Sequence, residues 1–283
     1  MPFRIARTAA CLSGYTGGVQ MKEKIRDSYV HRKGAGTPLV MVHGIISDSS
    51  FFEESAEILA EDYQVITYDR RGYGENTREK YSDYSVHAQA EDLAEILGTY
   101  CSEPAWVVGN SAGGLIAIEA ALFYPELIRG MILIEPSLGY EETEREKLLS
   151  WNQELNQYVK EGRIKSALPA FSRITGGGKG KKSASLKEIK RSYQNLSAFM
   201  YGELNEVQRY LPPAESLKRL PMPVLVAVTE GGRNSIFATS SETGAMKLGW
   251  PVVTLPGFHN VAKDLPSEFA ACIKELLSGR NEG

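Results

Sequence analysis

The sequence predicts an α/β fold in which a mostly parallel, doubly wound sheet carries an inserted helical cap. Three observations predict it: short apolar runs typical of buried strands, helical patterns between most of these runs, and one long interval without a strand pattern. Parallel strands that alternate with helices form a sheet that is covered on both faces. The six runs rich in valine, isoleucine and leucine are residues 38–42, 64–68, 105–108, 130–134, 223–228 and 251–255.

One further strand-like segment and several helical patterns surround these runs. Residues 24–32 precede them as a polar, strand-like segment. The helical patterns repeat apolar residues three or four positions apart, so one face of each helix can pack on the sheet. The last pattern starts near Pro266 and stops at Gly279. The apolar positions are Phe52, Ile58 and Leu59 in the first helix, Val86, Ala90, Leu93 and Leu97 in the second, and Phe269, Ile273, Leu276 and Leu277 in the last.

The long interval at residues 138–220 predicts the helical cap, because its apolar residues repeat at helical spacing. Residues 21–137 and 221–283 then form the α/β core. A glycine and lysine run at residues 175–182 lacks the strand and the register of a P-loop, which favours a mobile loop over a phosphate site. Residues 1–20 are interpreted as a disordered extension, since their longest apolar run is too short for the core of a signal peptide.

Composition excludes several classes of partner. The 283 residues carry a formal net charge of -3, and the pI is near 5.9. Such a balance creates no field that would attract nucleic acid or an anionic membrane, so neither is expected as a partner. Cys11, Cys101 and Cys272 are widely spaced and odd in number, which favours buried thiols in a reducing, cytoplasmic compartment. The sequence carries no signal for an oligomeric state.

A strand, a sharp turn and a helix-like segment follow one another between residues 105 and 124. The turn holds the motif G-x-S-x-G, formed by Gly109, Ser111 and Gly113. That order of elements is what a nucleophile elbow requires. The glycines leave room for a strained turn that exposes the Ser111 hydroxyl, while the N–H of Ala112 points at the group that the serine attacks.

Polar residues also follow other strands of the predicted sheet. Residues 43–45 come after the first run, and the glycine there lets the N–H of Ile45 face Ser111 as a second oxyanion donor. Asp69 opens the sequence D-R-R-G-Y-G and is interpreted as a turn former rather than a catalyst. His259 follows the last run, where it can reach back to the serine.

The order and spacing of H-G, D-x-R-G-x-G and G-x-S-x-G resemble the α/β-hydrolase family. The resemblance implies that Ser111 is the nucleophile and that His259 is the base, which takes the serine proton and returns it to the leaving group. It also implies that the N–H groups of Ile45 and Ala112 form the oxyanion hole. The remaining histidines precede the serine, and His43 is interpreted as a loop organiser.

The acid of the triad departs from the common family pattern. Most relatives carry an aspartate a few residues after the penultimate strand, where this chain has Gly232. Glu135 ends the strand after the elbow helix, 24 residues beyond Ser111, and its carboxylate should emerge beside the elbow. This arrangement is similar to that of the fungal zearalenone lactonases, so Glu135 is the predicted acid. Glu230, close to the end of the penultimate strand, is the alternative.

These residues predict a serine hydrolase that cleaves a small or medium, partly apolar ester or lactone through an acyl-enzyme intermediate, without cofactor or metal. Because a fold does not fix the reaction, carbon-carbon bond hydrolysis or other non-ester chemistry on the same triad stays open, as does a hydrolase-like ligand sensor. The cap would supply an apolar lid over a small-molecule substrate. Its aromatic and sulfur side chains include Trp151, Tyr158, Phe171, Tyr193, Phe199, Met200 and Tyr201.

Overall fold

One sheet of eight strands forms the centre of the molecule. The computed structural model describes residues 21–25, 28–78, 81–174 and 185–278. The strand order is β1-β2-β4-β3-β5-β6-β7-β8, and the six strands from β3 to β8 run parallel. The strands are β1 Met21–Ile25, β2 Ser28–Lys33, β3 Pro38–Val42, β4 Gln64–Asp69, β5 Ala105–Asn110, β6 Ile128–Ile134, β7 Val224–Thr229 and β8 Val252–Leu255.

Helices cover both faces of this sheet, because both faces of its strands are apolar. On β3, Val40 belongs to the core shared with α2 and α3, whereas Leu39 belongs to the core shared with α1 and α11. The doubly wound, mostly parallel sheet predicted from the sequence is therefore confirmed. The helices are α1 Glu53–Leu59, α2 Val86–Tyr100, α3 Ala112–Phe123, α4 Glu142–Lys160, α5 Ile164–Ile174, α6 Leu186–Ala198, α7 Leu204–Arg209, α8 Ala214–Leu217, α9 Ile236–Leu248, α10 Val261–Asp264 and α11 Pro266–Ser278.

The predicted strands and thiols differ from the structure in detail. The six apolar runs all form strands, with ends displaced by at most two residues. The segment predicted at residues 24–32, however, is divided between β1 and β2, which pair antiparallel with Ile25 opposite Ser28. The sequence between them lacks the glycine or proline that would mark a turn. Cys101 and Cys272 are free and only half-buried, while Cys11 lies outside the described residues.

Between β6 and β7, the described residues form helices and no strand. Helices α4 to α8, which we call the helical insertion, begin at Glu142 and end at Leu217. An apolar cluster of insertion residues such as Leu155 and Phe199 also includes Ile46 and Tyr73, which follow β3 and β4. The insertion thus packs over the carboxyl ends of the strands.

Two sequence predictions concern residues that the structure does not describe. The glycine and lysine run at 175–182 and the extension at 1–20 lie outside the described residues. In the part that the structure describes, no helix has the length and apolar character needed to cross a membrane.

Candidate active site

Ser111 lies in the turn between β5 and α3 with φ 54° and ψ -122°. A side chain on either flanking glycine would prevent this turn. A Cβ atom at Gly109 would lie 2.6 Å from the carbonyl oxygen of Gly113, and one at Gly113 would lie 2.1 Å from the carbonyl oxygen of Val42. The N–H of Ser111 donates to the carbonyl of Ile134 at 2.8 Å. Close backbone packing therefore holds the serine in its left-handed conformation.

The two predicted oxyanion donors lie on segments next to Ser111. Ala112 is the first residue of α3, so its N–H has no acceptor within the helix. A Cβ atom at Gly44 would lie 3.1 Å from the Cβ atom of the serine, which places the loop after β3 against the elbow. Ile45 follows directly and is half-buried. Both donors thus belong to segments that flank the serine.

The structure pairs His259 with Glu135. Nδ1 of His259 lies 2.5 Å from Oε2 of Glu135, and the glutamate side chain is fully buried. Its other oxygen, Oε1, accepts from the N–H of Thr229 at 2.9 Å and from the hydroxyl of Thr229 at 2.6 Å. Burial acts to raise the pKa of Glu135, but the hydrogen bonds and charge interaction with His259, together with the Thr229 bonds, outweigh it and lower the pKa.

The two candidate positions after β7 lie in different surroundings: Gly232 is next to the Glu135 carboxylate, whereas Glu230 is exposed. A Cβ atom at Gly232 would lie 2.5 Å from Oγ1 of Thr229 and 3.1 Å from Oε1 of Glu135. The glycine therefore leaves the space that the Glu135 carboxylate and its threonine partner use. Glu230 is exposed, and the carboxylate that meets Nδ1 of His259 is that of Glu135.

Backbone strain concentrates around this group. Four non-glycine residues in the described ranges have positive φ: Ile46, Ser111, Glu135 and Ser137. All four follow β3, β5 or β6 at the carboxyl end of the sheet. Conformations of this kind cost about 1–3 kcal/mol each and cluster at functional sites. Their convergence makes this edge a candidate functional site, independently of any sequence motif.

Aromatic rings extend from His259 into the helical insertion. The ring of Phe237 lies 5.2 Å from that of His259 and 5.9 Å from that of Trp151. Trp151 contacts Phe171 at 5.6 Å, and Phe171 contacts Phe199 at 5.7 Å. Of the other side chains predicted to form the lid, Met200 is buried, Tyr158 packs in the insertion core, and Tyr193 and Tyr201 are 40% and 61% exposed.

Sequence reasoning missed Thr229 and Phe237 at this site. A polar residue at the end of a strand is a signal that could have identified Thr229, whereas Phe237 has no such signal because its contact with His259 is tertiary. The described ranges contain no group of three or more His, Cys, Asp or Glu side chains arranged to hold a metal ion.

His43 connects two loops at the carboxyl end of the sheet. Its Nδ1 donates to the carbonyl of Gly44 at 2.8 Å, and its Nε2 accepts from the N–H of Arg70 at 3.2 Å. A carbonyl can only accept, so the proton lies on Nδ1. Burial and the charge of Arg70 lower the pKa of His43 to about 3. The neutral ring therefore ties the loop after β3 to the loop after β4.

Comparisons with known proteins agree with this architecture. An uncharacterised hydrolase, YraK, of Bacillus subtilis is 26% identical over 255 residues, which cover 87% of this chain and 90% of that protein. The 2-(acetamidomethylene)succinate hydrolase of Mesorhizobium japonicum is 26% identical over 84% of this chain and 87% of its own length.

Solved structures show the same fold. The crystal structure of E-2-(acetamidomethylene)succinate hydrolase matches with a TM-score of 0.69 at 22% identity, covering 92% of this chain and all of that one. MenH from S. aureus matches with a TM-score of 0.72 at 20% identity, covering 90% and 99% of the two chains. The profile of the α/β hydrolase fold matches residues 37–230. The chain therefore belongs to the α/β-hydrolase fold family.

Proposed function

We propose that this α/β hydrolase is a serine hydrolase that cleaves a small or medium, partly apolar ester or lactone. Ser111 attacks the carbonyl carbon, and His259 takes the serine proton and then delivers it to the leaving oxygen. Glu135 holds the imidazole with its proton on Nδ1, which leaves Nε2 free to act as the base. The N–H groups of Ile45 and Ala112 stabilise the oxyanion. Water then adds to the acyl-enzyme and releases the acid.

The observation that carries the proposal is the 2.5 Å contact between His259 Nδ1 and Glu135 Oε2, at the sheet edge that also presents Ser111. A buried carboxylate with two further donors is a fixed acceptor, and it selects one tautomer of the histidine. The backbone strain at Ser111 and Glu135 supports the same assignment, because structure that costs free energy persists where function needs it.

The rings of Phe237 and Trp151 support an apolar substrate. Phe237 lies beside His259 and contacts Trp151 of the helical insertion, so an acyl or leaving group bound there would contact aromatic surface. Polar lining would instead favour a charged substrate. We therefore place the apolar part of the substrate against Phe237.

Labelling by a fluorophosphonate probe tests the proposal. We expect the wild-type protein to be labelled and Ser111→Ala to remain unlabelled. Ser137→Ala is the matched control, because Ser137 also has positive φ and follows a strand at this edge; it should be labelled like the wild type. An unlabelled wild-type protein with an intact fold, or equal labelling of Ser111→Ala, would refute an activated serine.

A substrate panel then separates the alternatives. The panel compares steady-state turnover of aryl esters, lactones, a substrate for carbon-carbon bond hydrolysis and 2-(acetamidomethylene)succinate. The last compound is included because one relative is named as its hydrolase. We expect turnover of the esters or lactones to be fastest. Single turnover with a large ligand-induced rise in thermal stability would favour a ligand sensor, and preferred turnover of another bond would replace the ester assignment.

A further inference from the structure

A buried ion pair joins the helical insertion to the sheet. Glu203 ends the π-helical turn Phe199–Glu203 that follows α6, and Arg70 is the first residue after β4. The two side chains are bonded, and both are almost completely inaccessible. Removing two charges from water costs free energy that only good geometry and additional hydrogen bonds offset. Such a pair is therefore expected to hold a defined arrangement.

The Glu203 carboxylate has several donors besides Arg70. The hydroxyl of Tyr73 donates to it, and Nε2 of Gln89 donates at 3.0 Å. Gln89 also accepts from Arg70 at 2.5 Å. The donors come from α2 and from the loop after β4, so a single carboxylate of the insertion organises two core elements.

Arg70 extends this network to the loop beside the serine. Its Nη2 donates to the carbonyl of Gly44 at 2.8 Å. His43 donates to the same carbonyl, while its own Nε2 accepts from the backbone of Arg70. The carbonyl oxygen of Gly44 is therefore held by two donors, both of which depend on Arg70.

That carbonyl belongs to the same peptide group as the N–H of Ile45. The peptide unit is planar, and in its trans form the C=O and N–H point to opposite sides. Donors that hold the Gly44 oxygen on one side therefore direct the Ile45 N–H to the other. Hydrogen bonds accepted by the carbonyl also polarise the peptide and strengthen its N–H as a donor.

We propose that Glu203 and Arg70 are positioning residues, which orient the Ile45 N–H in the oxyanion hole and so couple the helical insertion to catalysis. The inference rests on the proposed function, since it assigns a role to the same oxyanion hole. The positioning is indirect: Glu203 fixes Arg70, Arg70 fixes the Gly44 carbonyl, and the rigid peptide transmits that orientation to the N–H.

The neighbouring ion pair supplies a matched control. Arg71 bonds the carboxylate of Asp92 at 2.8 Å, and both side chains are buried. Arg71 also donates to the carbonyls of Asp83 and Ala88, which lie before and within α2. Asp92→Asn therefore breaks a buried pair of the same kind without touching the Gly44 carbonyl.

The test compares Glu203→Gln with Asp92→Asn in kcat, KM and thermal stability on an ester substrate. We expect Glu203→Gln to lower kcat about 10- to 100-fold with little change in KM, because removal of a whole oxyanion donor costs about 10²–10³. Asp92→Asn should lose comparable thermal stability yet keep kcat near the wild-type value. Equal kcat in the two variants, once both are folded at the assay temperature, would overturn the proposal.

An inhibitor gives a second readout that a merely structural role would not move. The serine adds to an aryl trifluoromethyl ketone and forms a hemiketal whose oxyanion occupies the hole. We expect Glu203→Gln to weaken this inhibitor by the same factor as kcat/KM, and to leave binding of the corresponding alcohol unchanged. Equal weakening of both compounds would mean that the pocket, rather than the oxyanion hole, had changed.

Two further variants keep the outcomes distinguishable. If Glu203→Gln does not fold, Arg70→Lys replaces it, because lysine keeps the charge for Glu203 but loses the fork that also reaches Gly44. Unchanged kcat in Arg70→Lys would then refute the positioning role. If Ser111→Ala retains wild-type turnover, the proposed function itself fails; if it loses turnover while Glu203→Gln does not, only this inference fails.

Discussion

Replacing Glu135 by glutamine should remove catalysis through the tautomer of His259 rather than through loss of volume. In the wild type, Oε1 accepts two bonds from Thr229 and Oε2 accepts one from His259. The backbone N–H of Thr229 only donates, so the glutamine must present its oxygen there. Its amide group then faces Nδ1 and donates to it. Nδ1 becomes an acceptor, and the ring proton moves to Nε2.

The expected magnitude follows from this exchange. A histidine protonated on Nε2 cannot accept the proton of Ser111, and an equivalent change in a serine triad costs about 10⁴ in kcat. At about 1.4 kcal/mol per tenfold change, this is roughly 5–6 kcal/mol of transition-state stabilisation. The fold should survive, since losing a hydrogen bond to a charged group costs about 1.5–3 kcal/mol. KM should change little because Glu135 is buried behind the histidine.

The assay is steady-state turnover of an activated aryl ester, with circular dichroism to confirm folding. Glu230→Gln is the matched control: Glu230 is exposed, and its backbone bond to Leu255 at 3.0 Å does not involve the side chain. It should retain wild-type turnover. Near-normal turnover in Glu135→Gln together with its loss in Glu230→Gln would refute the assignment of the acid.

Two other predictions concern stability. Gly232→Ala should lower the free energy of unfolding by about 1–3 kcal/mol, because its Cβ would lie 2.5 Å from Thr229 Oγ1; unchanged urea unfolding would contradict this. The folded protein holds His43 neutral down to its pKa of about 3, whereas in the unfolded chain it binds a proton below about 6.5. The free energy of unfolding should therefore decrease as the pH is lowered from about 6.5 to about 3, by up to about 1.4 kcal/mol per pH unit. Urea unfolding at pH 7 and pH 5 measures this decrease. His43→Gln should lose less unfolding free energy between the two pH values than the wild type, and an equal loss in both proteins would contradict the explanation.

The parallel strands could be predicted because each buried strand has a continuous run of apolar residues. Residues 38–42 are apolar at every position and occupy a strand buried on both faces, and β3 coincides with them. The sequence predicts one strand-like segment where the structure has the antiparallel pair β1 and β2. The polar residues there give no continuous apolar run, and residues 26–27 include neither glycine nor proline. Apolar continuity therefore identifies the parallel strands β3 to β8, but it does not separate the polar strands β1 and β2.

The prediction of the acid used two positions: Glu135, which carries a carboxylate, and Gly232, which has no side chain. A carboxylate at the position of Gly232 and the one at Glu135 would compete for the same space, because even a Cβ atom at 232 approaches Oε1 of Glu135 to 3.1 Å. In this chain, a carboxylate at position 135 is therefore compatible with a small residue at position 232 and is crowded by a larger one. Steric exclusion thus explains why the two sequence signals occur together.

Glu203 could not be predicted in the same way. It lies 133 residues from Arg70, in a helical segment where a charged residue is ordinarily interpreted as part of a solvated face. Only the fold reveals that it is fully buried. Its position is also relevant to the backbone strain in the loop after β3, because Ile46 is β-branched and has φ 56°. The bonds of Arg70 and His43 to Gly44 hold the peptide two residues earlier. We therefore expect the buried ion pair to stabilise a backbone conformation that the local sequence would not adopt alone.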